Sequence, residues 1–81
     1  MKIIKYGSSW CGPCRLATKT LQDSGLPFED IDIDSNPEAI KDLKISRIPY
    51  ILFKDDNDNV LHTHIGGLTQ SELNKIIEEY V

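Results

Sequence analysis

The run Tyr50-Ile51-Leu52-Phe53 has no polar break, and that continuity restricts the fold more than any other feature of the chain. Strict alternation marks a strand with one wet face, whereas an unbroken apolar run suits a strand buried on both faces of a sheet. Eighty-one residues support one small core, so the chain is expected to be a single domain over 1–81. A two-domain enzyme with an interdomain cleft is excluded. With 40% hydrophobic residues, the chain lacks the low-hydrophobicity signature of disorder and should fold alone.

Around that strand, β-prone and helical patterns alternate. Lys2-Ile3-Ile4-Lys5-Tyr6 reads as a first strand, ended by the loop Gly7-Ser8-Ser9. A helix is expected over about 12–24: Pro13 is tolerated in its first turn, Leu16, Ala17 and Leu21 supply apolar residues, and Ser24-Gly25 stops it. Phe28, Ile31 and Ile33, interleaved with acids, give a second strand whose phase is open near its start.

Ser35-Asn36-Pro37-Glu38 reads as a helix start, with Ser35 or Asn36 as cap and Glu38 placed as in a capping box. That short helix should run to about Leu43. Asp55-Asp56-Asn57-Asp58-Asn59 reads as a solvated hairpin turn rather than a calcium loop, since Val60 and Gly66 occupy the positions that need Gly and Glu. Val60 to Ile65 returns as a strand, and Gly66-Gly67 ends it. Thr69-Gln70-Ser71-Glu72 is a second capping box, followed by Leu73, Ile76, Ile77 and Tyr80 at helical spacing. The expected order is β-α-β-α-β-β-α.

No apolar stretch approaches the roughly 20 residues of a membrane span, and the start lacks the basic-then-apolar pattern of a secretion signal. A cytoplasmic location with no membrane partner is therefore expected. A formal charge of −4 and no basic cluster argue against nucleic acid as a partner.

Cys11-Gly12-Pro13-Cys14 lies between a strand and a helix, the setting in which C-x-x-C of an intracellular protein reads as a redox pair. Cys11 would stand at a helix N-terminus, where free amides and the helix dipole favour a thiolate over the free thiol of pKa about 8.5. Cys14, one turn in and more buried, can close a disulfide with it. Cys11 is the expected nucleophile and Cys14 the resolving thiol. Two other readings compete with this one. Zinc held by both Cys with His62 and His64 fits poorly, because H-x-H is not a zinc-finger spacing and two His on one strand face need not reach the Cys loop; both His are read as solvent-facing strand residues. An inert structural disulfide fits poorly too, because so short a loop removes little unfolded-chain entropy.

Trp10-Cys11-Gly12-Pro13-Cys14 resembles the active site of thioredoxins, and the resemblance covers nearly the whole chain. Ile48-Pro49 looks like the family's segment ending in a cis-proline beside the redox pair. Asp32-Ile33-Asp34-Ser35-Asn36-Pro37 is similar to the segment leading into its next helix, and Thr63-His64-Ile65-Gly66 to its last strand with a substrate-side glycine. The resemblance implies an α/β thioredoxin fold, with a four-stranded mixed sheet and three helices. It also implies a substrate surface made by Trp10, Gly12, Pro13, Ile48, Pro49 and Gly66.

Three departures qualify it. Only ten residues precede Cys11, a glutaredoxin-like length. Gly66-Gly67 resembles the glutathione-side glycine pair of glutaredoxins, although Leu68-Thr69-Gln70 replaces the acidic residue that often follows. The small glutaredoxin-like electron donors of ribonucleotide reductase are similar in length and layout. Finally, Lys5 stands where thioredoxins hold a buried aspartate, and Asp30 where they commonly carry its lysine partner. If strands 1 and 2 are neighbours, Lys5 and Asp30 are expected to pair beneath the active site and tune the thiols; a surface Lys5 is the other reading.

The expected function is reduction of protein disulfides by the Cys11/Cys14 dithiol, in a monomer. The chain has no dinucleotide-binding fingerprint, so no cofactor is expected beyond the redox-active disulfide, and thioredoxin reductase is the implied source of electrons. Disulfide-containing proteins, ribonucleotide reductase among them, are the implied substrates. Gly12-Pro13 resembles strongly reducing members of the family, with potentials of about −270 mV. The alternatives are a glutathione-linked glutaredoxin, a dedicated donor to ribonucleotide reductase, or a binding subunit that uses the Cys pair as a switch.

Overall fold

In the computed structural model, which describes residues 1–80, the chain runs β1 (Lys2–Gly7), α1 (Gly12–Ser24), β2 (Glu29–Asp32), α2 (Pro37–Leu43), β3 (Tyr50–Lys54), β4 (Val60–Ile65) and α3 (Gln70–Tyr80). Val81, which the sequence places in the domain, lies outside the described residues. The four strands form one mixed sheet in the order β2-β1-β3-β4. β1 pairs with β2 in parallel and with β3 antiparallel, and β3 pairs antiparallel with β4.

The unbroken run in β3 takes an inner position, where Ile51, Leu52 and Phe53 are all buried. Alternation then sorts the sheet into two faces. On one, Ile3, Ile51 and Phe53 pack with Ala17 and Leu21 of α1 and Leu73 and Ile76 of α3. On the other, Tyr6, Ile33 and Leu52 pack with Ile45, flanked by Ala39, Ile40 and Leu43 of α2. Each fully buried Leu or Phe is worth about 1.5–3 kcal/mol, so the α1/α3 face, with Leu21, Phe53, Leu68 and Leu73 all fully enclosed, is the main source of stability.

Helix ends follow local chemistry. Gly25, at φ 75°, closes α1 with its N–H on the Gln22 carbonyl at 3.1 Å. Before α3 the capping box forms: Thr69 Oγ1 accepts from Glu72 N at 3.2 Å, and Glu72 Oε1 accepts from Thr69 N at 3.2 Å. The box expected before α2 does not form, because Asn36 turns its amide onto the Asp32 carbonyl at 3.0 Å and makes no side-chain cap. In the hairpin, Asp55 Oδ1 accepts from Asn57 N at 2.8 Å and Asn59 N at 2.9 Å, which folds the acidic segment onto itself.

One orientation differs from the sequence reading. His62 and His64 do not face solvent; both are half-buried on the α1/α3 face. His62 lies opposite Phe53, its ring 6.0 Å from that of Phe53 and 5.8 Å from that of Tyr80. His64 lies opposite Ile51, with Nε2 3.1 Å from the Gly67 carbonyl. β4 is an edge strand, so its apolar residues Val60 and Ile65 stay exposed, while α3 covers the face carrying the imidazoles.

Candidate active site

The end of β1, the turn after it and the start of α1 hold the two cysteines. Cys11 is the N-cap of α1, in extended backbone, and its Sγ accepts the Cys14 N–H at 3.1 Å. That bond places the first sulfur on the free amides of the helix N-terminus, where partial positive charge favours a thiolate once the pair is reduced. Cys11 and Cys14 are joined as a disulfide, with Cα atoms 5.2 Å apart. Cys14 is 1% exposed and Cys11 7%. Exposed Trp10, Gly12 and Pro13 surround Cys11, so a partner approaching from outside meets that sulfur first.

Three further segments frame the turn. Trp10, 68% exposed, donates from Nε1 to Asp34 Oδ2 at 3.0 Å, which ties the indole to the segment after β2. The Ile48–Pro49 peptide is cis, and the Pro49 carbonyl accepts the Gly66 N–H at 2.9 Å. Gly66 has φ 104°, a conformation that glycine adopts without strain. Beside it, a Cβ on Gly67 would touch Leu16 Cδ2 at 3.4 Å and Pro13 Cβ at 3.8 Å, so this loop packs directly on the start of α1. The loop is anchored from behind as well: Thr20 Oγ1 donates to the Leu68 carbonyl and Gln70 Nε2 to the Thr20 carbonyl, both at 2.7 Å.

Beneath the disulfide lie Lys5 and Asp30. They are direct partners in the parallel β1–β2 register, and Lys5 Nζ donates to Asp30 Oδ1 at 2.8 Å. The lysine side chain is only 4% exposed, whereas Asp30 is 47% exposed. The surface reading of Lys5 is thereby set aside. A pocket of about 280 Å³ opens here, lined by Lys5, Asp30, Cys14, Ser8, Arg15 and Thr18, among others. It brings the ion pair and the buried sulfur to the lining of one pocket.

Two residues of this site carry no assignment from the sequence. Gly7 lets the strand pass under the helix: a Cβ there would lie 2.9 Å from Cys14 Sγ and 3.2 Å from Lys5 Nζ. Ser8, 7% exposed, accepts the Cys11 N–H on its carbonyl at 3.4 Å, while its hydroxyl is buried with no partner. The signal in the sequence is three small residues, Gly7-Ser8-Ser9, immediately before the cysteine turn, where a backbone must come close to something. Among the described residues, no group of three or more His, Cys, Asp or Glu side chains converges as metal ligands would, and no helix is long and apolar enough to cross a membrane.

A family model described as Thioredoxin matches residues 1–79. Over 85 aligned positions the chain is 32% identical to a thioredoxin of Listeria monocytogenes, covering 98% of this chain and 82% of that protein. It is 33% identical to a thioredoxin of Chlamydia trachomatis, covering 96% and 80%. Among solved structures, oxidized mitochondrial thioredoxin 3 from Saccharomyces cerevisiae superposes with a TM-score of 0.76 at 23% identity, covering 96% of this chain and 76% of that one. Thioredoxin 1 from Thermosipho africanus gives 0.78 at 20% identity, covering 99% and 93%. At those identities the structural likeness speaks for the fold.

Proposed function

The chain belongs to the thioredoxin family and is a thiol-disulfide oxidoreductase, and from that premise we propose that it is a protein-disulfide reductase with Cys11 as nucleophile and Cys14 as resolving thiol. The observation that carries the division of labour is the Cys14 N–H donated to Cys11 Sγ at the helix N-terminus, with Cys14 itself 1% exposed behind it. A sulfur on a helix N-terminus ionises readily, and Cys11 is the less enclosed of the two at 7% exposure; the more deeply buried sulfur is reached from within.

In the proposed cycle, the Cys11 thiolate attacks one sulfur of a target disulfide, and the other target sulfur leaves as a thiolate that takes a proton from solvent. Cys14, deprotonated, then attacks Cys11 Sγ. The Cys11–target bond breaks, the second target sulfur leaves, and the Cys11–Cys14 disulfide forms. Two electrons have passed to the target, and two must be returned. We assign that task to thioredoxin reductase, because the chain carries no nucleotide-binding fingerprint of its own.

Trp10, Gly12, Pro13, Ile48, Pro49 and Gly66 are the proposed contacts for the target chain. The exposed indole supplies area, and the backbone of Ile48 offers strand-like hydrogen bonds to an extended segment. Lys5 and Asp30 are proposed to tune the resolving thiol: Lys5 Nζ and Cys14 Sγ flank the same point above Gly7, and a cation so close favours the thiolate. A monomeric, cytoplasmic carrier serving disulfide-containing proteins, ribonucleotide reductase among them, completes the reading.

The test follows NADPH oxidation with insulin as disulfide substrate, comparing thioredoxin reductase with glutathione plus glutathione reductase. Turnover with thioredoxin reductase and slow turnover with glutathione is the expected result. Fast turnover with glutathione alone reassigns the chain to glutathione-linked chemistry, and no turnover with either rejects the reductase reading.

A further inference from the structure

Among the described residues, Ser8 Oγ is the one buried side-chain hydrogen-bonding atom without a partner. Leaving a buried hydroxyl unsatisfied costs stability, and such a group in a native structure calls for a reason. Ser8 stands at the redox pair. It follows Gly7, whose position closely approaches Cys14 Sγ, its own carbonyl accepts the Cys11 N–H, and it lines the same pocket as Cys14 and Lys5. The hydroxyl is orphaned beside a closed disulfide, in which neither sulfur carries charge.

We propose that Ser8 Oγ is a hydrogen-bond donor to the Cys14 thiolate, engaged when the disulfide is open and released when it closes. This rests on the redox reading of Cys11 and Cys14. In the mixed disulfide, Cys11 is bonded to the target and Cys14 is an anion inside the protein. An anion there needs donors: Lys5 supplies charge from one side and the Ser8 hydroxyl supplies a directed O–H from the turn. As Cys14 attacks Cys11 Sγ, the negative charge leaves on the target sulfur, and the hydroxyl loses its acceptor. No proton moves from Ser8 at any stage. The orphaned hydroxyl therefore penalises the disulfide relative to the dithiol, and Ser8 shifts the couple toward the reduced form.

The experiment measures Ser8→Ala, Ser8→Thr and the neighbouring control Ser9→Ala in two ways. The first is equilibration with glutathione, in which the protein disulfide plus two glutathiones gives the protein dithiol plus glutathione disulfide. For Ser8→Ala the equilibrium constant should fall roughly tenfold, a potential about 30 mV more negative. The second is thiolate absorbance in a Cys11→Ser background, where Cys14 is the only thiol; Ser8→Ala should raise its pKa by about one unit. Ser8→Thr keeps the hydroxyl and should restore both values, and Ser9→Ala should change neither.

Unchanged potential and thiol titration in Ser8→Ala would overturn the proposal. So would an equal change in unfolding stability of the oxidised and reduced proteins, since a merely structural serine acts alike in both. Insulin reduction by the wild type is scored separately: a Ser8 effect on the couple without insulin turnover rejects the reductase reading and keeps this one.

Discussion

Lys5 and Asp30 face each other across the only parallel strand pair of the described sheet and are joined by a 2.8 Å hydrogen bond directly beneath Cys14. The burial is lopsided, with the lysine enclosed and the carboxylate half open to the pocket. Water can therefore relax around Asp30, so the pair escapes the full desolvation penalty of a buried ion pair. The cation is held at the sulfur side, and it is the member proposed to act on the thiols.

Replacing Lys5 with Met removes that charge and keeps most of the side-chain volume. The thiolate of Cys14 should become harder to form, so the pH at which the resolving step rises toward its plateau should move upward. Stability should change by about 1 kcal/mol or less, because the remaining Asp30 is accessible to water. Rapid-quench measurement of mixed-disulfide resolution against pH checks this; superimposable profiles for wild type and Lys5→Met would remove the tuning role.

The two cysteines should fail in different ways. Cys11→Ser leaves a buried thiol that cannot reach a target, and activity with insulin should vanish. Cys14→Ser keeps the helix-end thiolate, so it should attack once and remain attached to its targets. Partners trapped by Cys11→Ser and not by Cys14→Ser, seen by non-reducing electrophoresis, would reverse the assignment.

What is legible in the sequence is what short-range chemistry decides. Helix α1 falls on the expected residues because Pro13 and Ser24-Gly25 punctuate both ends, and β3 is central because an unbroken apolar run has no wet face to offer. The Lys5–Asp30 pairing depends on strand adjacency and register, which no single strand encodes; the expectation is conditional, and the β1–β2 register supplies the condition. His62 and His64 read as solvent-facing because polar residues on a strand usually mark its wet side. On edge strand β4 the covering helix decides instead, and α3 lies over the imidazoles. Ser8 is invisible for a related reason: a serine in a glycine-serine turn reads as solvated until the tertiary structure encloses it.

The capping box before α3 gives the stability a pH-dependent part. Glu72 has its carboxyl held below the ordinary value of 4.5, first by the Thr69 hydroxyl and then by the Thr69 N–H. A lowered folded pKa means that the contribution is present above the ordinary value and is lost as pH falls through the folded one. Glu72→Gln should therefore unfold at lower urea than wild type at pH 7, and the two curves should converge in acid. Thr69→Ala should instead keep a gap from wild type in acid, because the Thr69 hydroxyl also accepts the Glu72 N–H whatever the charge of the carboxyl, and a gap between wild type and Glu72→Gln that persists in strong acid would mean that the carboxylate charge is irrelevant.

Gly7→Ala tests how tightly β1 is held against the redox turn. The added Cβ would lie 2.9 Å from Cys14 Sγ and 3.2 Å from both Cys14 Cβ and Lys5 Nζ, so at least one neighbour must move. Lys5 is the end of a flexible chain, but it is buried and committed to Asp30; Cys14 is fixed by its helix and by its bond to Cys11. Overpacking of this kind costs about 1–3 kcal/mol. The penalty should be smaller after reduction, when the Cys14 side chain is free to turn away from the new methyl group. Gly7→Ala should then lower the guanidinium midpoint of the oxidised protein more than that of the reduced protein, and its disulfide should be reduced by a lower concentration of dithiothreitol than the wild-type disulfide requires. Equal losses in the two redox states would mean that the methyl group is accommodated by Lys5 instead, and the Lys5–Asp30 bond would be the contact to examine.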